Sequence, residues 1–261
     1  MNPQESEPRA EPPATLDGQE EIRAELGLSA PRGWYSRGYL PHYNNPETIQ
    51  SVTFRLADSL PQIKLREIEN ELIESPPGKI DAERRKKIET WLDAGIGCCA
   101  LRDPALASLM QETLLKWDGD RYRLFAWCIM PNHVHVLMET SGALSKIVQS
   151  WKSFTGRWAL EKNAELGLGV PGAALWMREY WDRYIRDAGH FDNVRAYIEK
   201  NPVAAGLCKQ ASDWPWSSAS PGNAEPQLGE NEEIRAKLGL GAPAGPIENH
   251  GHEQRHQPEP D

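Results

Sequence analysis

Residues 122–139, YRLFAWCIMPNHVHVLME, constrain the fold more than any other stretch of the chain. Two apolar-rich runs, Tyr122–Met130 and His133–Glu139, are joined by Pro131-Asn132, which is a hairpin signal. Side chains alternate across a strand, so Val134, Val136 and Met138 share one face. That face suits a helix layer. His133, His135, Leu137 and Glu139 share the other, expected to be the open face of the sheet. Two imidazoles side by side are well placed to grip one metal ion. By residue type alone, structural histidines account for the pair equally well. His250-Gly251-His252 repeats the spacing in an acidic tail. Glycine fixes no strand there, so those two read as solvated.

The flanking segments build a layered domain around this hairpin. Val52–Leu56 reads as a strand closed by Pro61, and Ala82–Ala94 as a charged helix. Asp103-Pro104 opens a helix through about Trp117, with Leu106, Leu109, Met110 and Leu114 as its apolar stripe. A longer helix is expected near Leu144–Lys162. A mixed stretch follows, then a helix over Phe191–Asn201 that Pro202 stops. The pattern predicts an α+β fold, an antiparallel sheet with helices packed on one face.

Charge divides the chain into three parts. Residues 1–33 carry 3 basic and 7 acidic groups, and residues 219–261 carry 3 and 8. Subtracting these from totals of 29 and 38 leaves 23 of each sign in 34–218. The net charge of −9 therefore sits in the ends, and a neutral middle is free to present a basic face to a polyanion. We expect 34–218 to be the catalytic domain, with 1–33 and 219–261 as flexible acidic segments. Each end carries one copy of a repeat, EEIRAELGLSAP from Glu20 and EEIRAKLGLGAP from Glu232, ten of twelve positions being identical. As short amphipathic turns these suit a docking peptide, or are duplicated sequence of little consequence.

No run of about 18 apolar residues exists, so no membrane span is expected. MNPQESEPRAEPPATL has neither a basic start nor an apolar stretch, so it does not read as a secretory signal. Cys98, Cys99, Cys128 and Cys208 form no C-x-x-C pair, and reduced thiols in a cytoplasm fit them.

In Tyr197-Ile198-Glu199-Lys200-Asn201-Pro202, Tyr197 and Asn201 are one helical turn apart. Taken alone they read as a border aromatic and a helix-end residue. Other motifs change that reading. AWCIMPNHVHVLMET, LSKIVQSWKSFTGRW, YWDRYIRD, YIEKNPVAAGL and DWPWSS, in that order, closely resemble the REP-associated tyrosine transposases, single-tyrosine enzymes of the HUH nuclease superfamily. The resemblance covers roughly 36–219. It implies a ferredoxin-like HUH sheet, a divalent metal (Mg or Mn) on His133, His135 and Asn201, and Tyr197 as nucleophile. It also implies a 5′-phosphotyrosine intermediate on single-stranded or hairpin DNA. The charged stretch before Trp91 departs from the family pattern and reads as an insertion. A silent single-strand or hairpin binder and a metal phosphohydrolase using water are the alternatives.

Lys146, Lys152, Arg157, Arg178, Arg183 and Arg186 are candidate phosphate contacts. Glu139 shares the histidine face, but a solvated strand-end carboxylate is its simpler reading. Trp214 and Trp216 suit core packing better than base stacking.

Overall fold

The computed structural model describes residues 34–36, 41–43, 48–72 and 80–223. Both repeat copies and the His250/His252 pair lie outside the described residues. A small ladder pairs β1 (Trp34–Ser36) with β2 (Pro41–Tyr43). The main sheet contains β3 (Ile49–Arg55), β4 (Tyr122–Ile129), β5 (His133–Thr140) and β6 (Trp181–Tyr184). Its order is β4-β5-β3-β6 and every neighbouring pair is antiparallel. With helices between β3 and β4 and between β5 and β6, this is the β-α-β-β-α-β arrangement of ferredoxin-like folds.

Alternation sorts the core as expected. Val134, Val136 and Met138 are buried against α3 (Pro104–Leu115) and α4 (Leu144–Leu166) through Leu106, Met110, Val148 and Trp151. Asp103 caps α3, its carboxylate accepting from Ala105 and Leu106 N–H, and Pro104 takes the first-turn position where no donor is needed. Beyond the helix Gly156 of α4 lets Trp176 approach: a Cβ there would meet the indole at 3.4 Å.

The histidine face, expected to be open, is covered. α5 (Ala188–Ala204) packs on β4 and β5 through Phe191 and Ile198, which join Phe125, Cys128 and Leu137. A bulge between Leu124 and Ala126 turns both Phe125 and Ala126 toward this layer. α1 (Gln62–Leu72) and α2 (Ile80–Asp93) form a second cap, in which Ile68, Leu72, Ile88 and Leu92 bury one another beside Trp181 of β6. Arg84–Glu69 and Lys87–Glu71 ion pairs lace the outer side of these two helices.

Two further sequence expectations need correction. Pro202 does not stop α5 at Asn201; the helix runs to Ala204. A proline in the last turn loses only its own N–H, and Ala205 and Leu207 N–H still bond to the Asn201 and Pro202 carbonyls. The mixed stretch also contains a strand, β6. Its four residues are partly to fully exposed, so the sheet edge offers no buried alternation for the sequence to display.

Candidate active site

The site begins at the β4–β5 turn. Pro131-Asn132 is buried, and its backbone is satisfied from outside the hairpin: Leu101 N–H donates to the Pro131 carbonyl, Leu56 N–H to that of Asn132. The Asn132 amide donates to the carbonyls of Leu92 and Ile96, each at 3.0 Å. With its NH2 group so committed, its oxygen faces His133 Nδ1 at 2.7 Å. His133 Nδ1 must therefore carry the proton, which leaves a lone pair on Nε2.

His135 is held from β3. Its Nδ1 lies 2.9 Å from the Thr53 hydroxyl, a group able to donate or accept. The two imidazoles meet edge to face, with Nε2 atoms 2.9 Å apart. Both rings are buried. Burial lowers the pKa of His135 to about 4. Burial and then His135 hold that of His133 well below the ordinary value. Both rings are neutral at physiological pH, as metal ligands must be.

α5 supplies the other two residues. Tyr197 is partly exposed, and its ring lies 5.5 Å from that of His135. Its hydroxyl pKa is pushed far above the ordinary range by burial, then by the charges of Glu89 and Asp93 and a hydrogen bond to Glu89; the Asn201 amide acts in the opposite direction. Asn201 is buried, and among the described residues its Oδ1 has no hydrogen-bond partner. Such orphaned groups cost roughly 1–3 kcal/mol each.

These residues fit a divalent ion. Two nitrogens bound cis to one ion at about 2.1 Å are separated by about 3 Å, close to the Nε2–Nε2 spacing here. The unsatisfied Asn201 oxygen is a third donor. Among the described residues no three His, Cys, Asp or Glu side chains cluster as a metal site, so the amide matters to this donor set.

Two acidic residues, Asp93 and Glu89, were missed by sequence reasoning. Asp93, in the last turn of α2, places Oδ1 3.9 Å from His133 Nε2. Desolvation pushes its carboxyl up to about 6. The signal was present as Glu89 and Asp93, one turn apart, but in a stretch that read as an insertion.

The basic candidates divide between the two sides of the sheet. Lys152, Arg157 and Arg178 line a cleft of about 630 Å³ between α4 and residues 173–180, across the sheet from the histidines. Lys152 donates to the Met177, Arg178 and Glu179 carbonyls at 3.0–3.2 Å, so its protons are already engaged. Arg183 pairs with Ser51 and shares the histidine face. Lys146 and Arg186 are exposed, the first near the start of α4 and the second just before α5. Glu139 is at the far end of β5 from His133. Trp214 and Trp216 pack edge to face on each other, and Trp214 Nε1 donates to the Ile129 carbonyl, which is a packing role.

Residues 102–201 match the family model described as IS200-like transposase. A REP-associated tyrosine transposase of Escherichia coli is 27% identical over 112 residues, 42% of this chain and 62% of that protein. A Haemophilus influenzae protein is 30% identical over 106 residues, 37% of this chain and 58% of its own length. The matched segments thus span about three fifths of these relatives. A solved REP-associated tyrosine transposase bound to a REP hairpin aligns over 85% of this chain and all of its own, at 16% identity and a TM-score of 0.43. The likeness to the REP-associated transposases read from the sequence is therefore found independently in the family and relative matches.

Proposed function

We propose that the chain cuts and rejoins one DNA strand at palindromic or hairpin repeats, through a covalent bond to Tyr197. The observation that carries the reading is the His133–His135 pair: two neutral rings, one with its tautomer fixed by Asn132, beside the Tyr197 ring. A divalent ion held by His133, His135 and Asn201 would polarise the scissile phosphate as a Lewis acid.

The chain's own groups do the rest. Tyr197 Oη attacks phosphorus, forming the O–P bond as the P–O3′ bond breaks, and the departing 3′ oxygen takes up a proton. The phenol is neutral, so its proton must leave during attack, and Glu89 is the acceptor beside it. The 5′-phosphotyrosine conserves the phosphodiester's energy. Attack by the 3′-hydroxyl of a second strand reverses the step, rejoining DNA and returning the proton to Tyr197. Water exclusion follows from the caps over the histidine face, α5 on one side and α2 on the other.

The test is adduct trapping on single-stranded DNA carrying a repeat hairpin from the flanking genome. Wild type with Mn2+ or Mg2+ should give a protease-sensitive, gel-shifted product on the 5′ end of the cut, and chelator should prevent it. Tyr197→Phe should fold and bind the hairpin yet give no adduct. Cutting without an adduct would make water the nucleophile, and binding without cutting would leave a silent binder.

A further inference from the structure

We propose that Thr53 of β3 is the positioning residue of His135. Its hydroxyl donates to His135 Nδ1 in the structure, and accepts from Nδ1 when a cation engages the Nε2 atoms of both histidines. The second half rests on the metal-dependent reading above; the first stands on hydrogen bonds alone. Thr53 also lies outside the 102–201 family match.

Proton positions follow one from another along four side chains. The Asn132 NH2 group is committed to the Leu92 and Ile96 carbonyls, so its oxygen faces His133 and Nδ1 of that ring carries the proton. A neutral ring protonated on Nδ1 has a bare Nε2. The two Nε2 atoms are 2.9 Å apart. Two lone pairs at that distance repel, so the contact needs a proton, and only His135 can supply it. His135 is thus protonated on Nε2 and donates to His133. Its own Nδ1 is then bare, and the Thr53 hydroxyl, 2.9 Å away, must be the donor. Among the described residues the His135 ring has no other hydrogen-bond partner.

Register puts Thr53 in that place. It stands directly opposite His135 across the β3–β5 ladder, so hydroxyl and imidazole share one face of the sheet. The two histidines are therefore not equivalent: one is protonated on Nδ1, the other on Nε2. A cation that takes a lone pair from each Nε2 needs both rings protonated on Nδ1. His133 already is. His135 must move its proton from Nε2 to Nδ1, with none gained or lost by the ring, and an acceptor must then face Nδ1. A hydroxyl both donates and accepts, so Thr53 becomes that acceptor by turning its O–H away. Serine can do the same; valine, of similar shape, cannot.

The test reads the tautomers directly, on the full chain labelled with 15N-histidine and without DNA. Proton–nitrogen correlation spectra near neutral pH, in chelator, should show His133 protonated on Nδ1 and His135 on Nε2. Each signal is assigned by its loss in His133→Gln or His135→Gln. Saturating Zn2+ should turn His135 to the Nδ1 form. In Mn2+ titrations followed by electron paramagnetic resonance, Thr53→Val should bind about tenfold more weakly or worse, a size usual for loss of the hydrogen bond to a ligating imidazole. Thr53→Ser should bind within about twofold of wild type. A purely structural Thr53 would lower the urea midpoint of the valine variant and leave its Mn2+ affinity alone. His135 protonated on Nδ1 in chelator, or Thr53→Val within about twofold of wild type, overturns the assignment. Wild type with opposed tautomers that binds neither ion removes the metal-dependent reading and the exchange with it, and leaves the hydrogen bond donated by Thr53 in place.

Discussion

The Asn132 side-chain oxygen accepts a hydrogen bond from His133 Nδ1 at 2.7 Å, while its nitrogen bridges two carbonyls at the end of α2. Because the amide cannot turn over without losing those two bonds, it dictates which imidazole nitrogen is bare. Asn132→Ala should therefore weaken Mn2+ binding by roughly 10–100-fold. It should also lower stability by about 1–3 kcal/mol, from orphaned buried carbonyls. Mn2+ titration and urea denaturation measure the two effects, and a variant that loses stability while keeping full affinity would disprove the tautomer role.

His133→Ala and His135→Ala should each abolish metal-dependent strand cutting and leave the circular dichroism spectrum in place. His250→Ala and His252→Ala should cut at the wild-type rate. A nicking assay on a hairpin oligonucleotide compares all four. Loss of cutting in the tail variants, with the strand variants active, would move the metal site elsewhere.

In chelator, acid should unfold the protein in a window set by the paired rings. An unfolded histidine titrates near 6.5, whereas burial lowers His135 to about 4 and His133 well below the ordinary value. Between those values the unfolded chain binds more protons at both positions, so stability falls as pH falls from about 6.5 toward 4. Asp93, raised from 3.8 to about 6, has the opposite sign: there the folded chain holds the extra proton. Two rings against one carboxyl leave the unfolded chain binding more protons, so stability falls by on the order of 1 kcal/mol per pH unit near pH 5. Urea midpoints at pH 7, 6 and 5 report the slope. His135→Ala should nearly flatten it and Asp93→Asn should steepen it.

Lys152 and Arg183 should separate in a DNA-binding assay. Lys152 donates hydrogen bonds to three carbonyls, so Lys152→Met should destabilise the fold by about 1–3 kcal/mol and barely change the salt dependence of binding. Arg183 lies on the histidine face, and Arg183→Ala should reduce the slope of log K against log salt by about 0.7. Equal slopes for the two variants would argue against DNA lying on the histidine side of the sheet.

The hairpin was legible because period-2 alternation survives burial on both faces: Val134, Val136 and Met138 went to the helix layer as read. α3 and α4 announced themselves by a capping Asp-Pro and by long apolar spacing. The cover over the histidine face did not. That face holds Leu137 among polar residues, which reads as half-solvated until α5 is seen to lay Phe191 and Ile198 across it. Asp93 was hidden for a related reason. Its helix looks like a charged surface element, and only the tertiary bonds from Asn132 bring its last turn to the imidazoles.

Tyr197 and Asn201 stand one turn apart on α5, and that helix is anchored to the sheet by Phe191 and Ile198. Phenol and amide are therefore a single lever. A rotation of the helix that withdraws the phenol withdraws the amide with it, so on the proposed chemistry readiness to attack and grip on a cation would rise and fall together. Slack in the anchor should show as proportional losses in both: Ile198→Ala introduces it at the buried contact, and ought to relax the two in step.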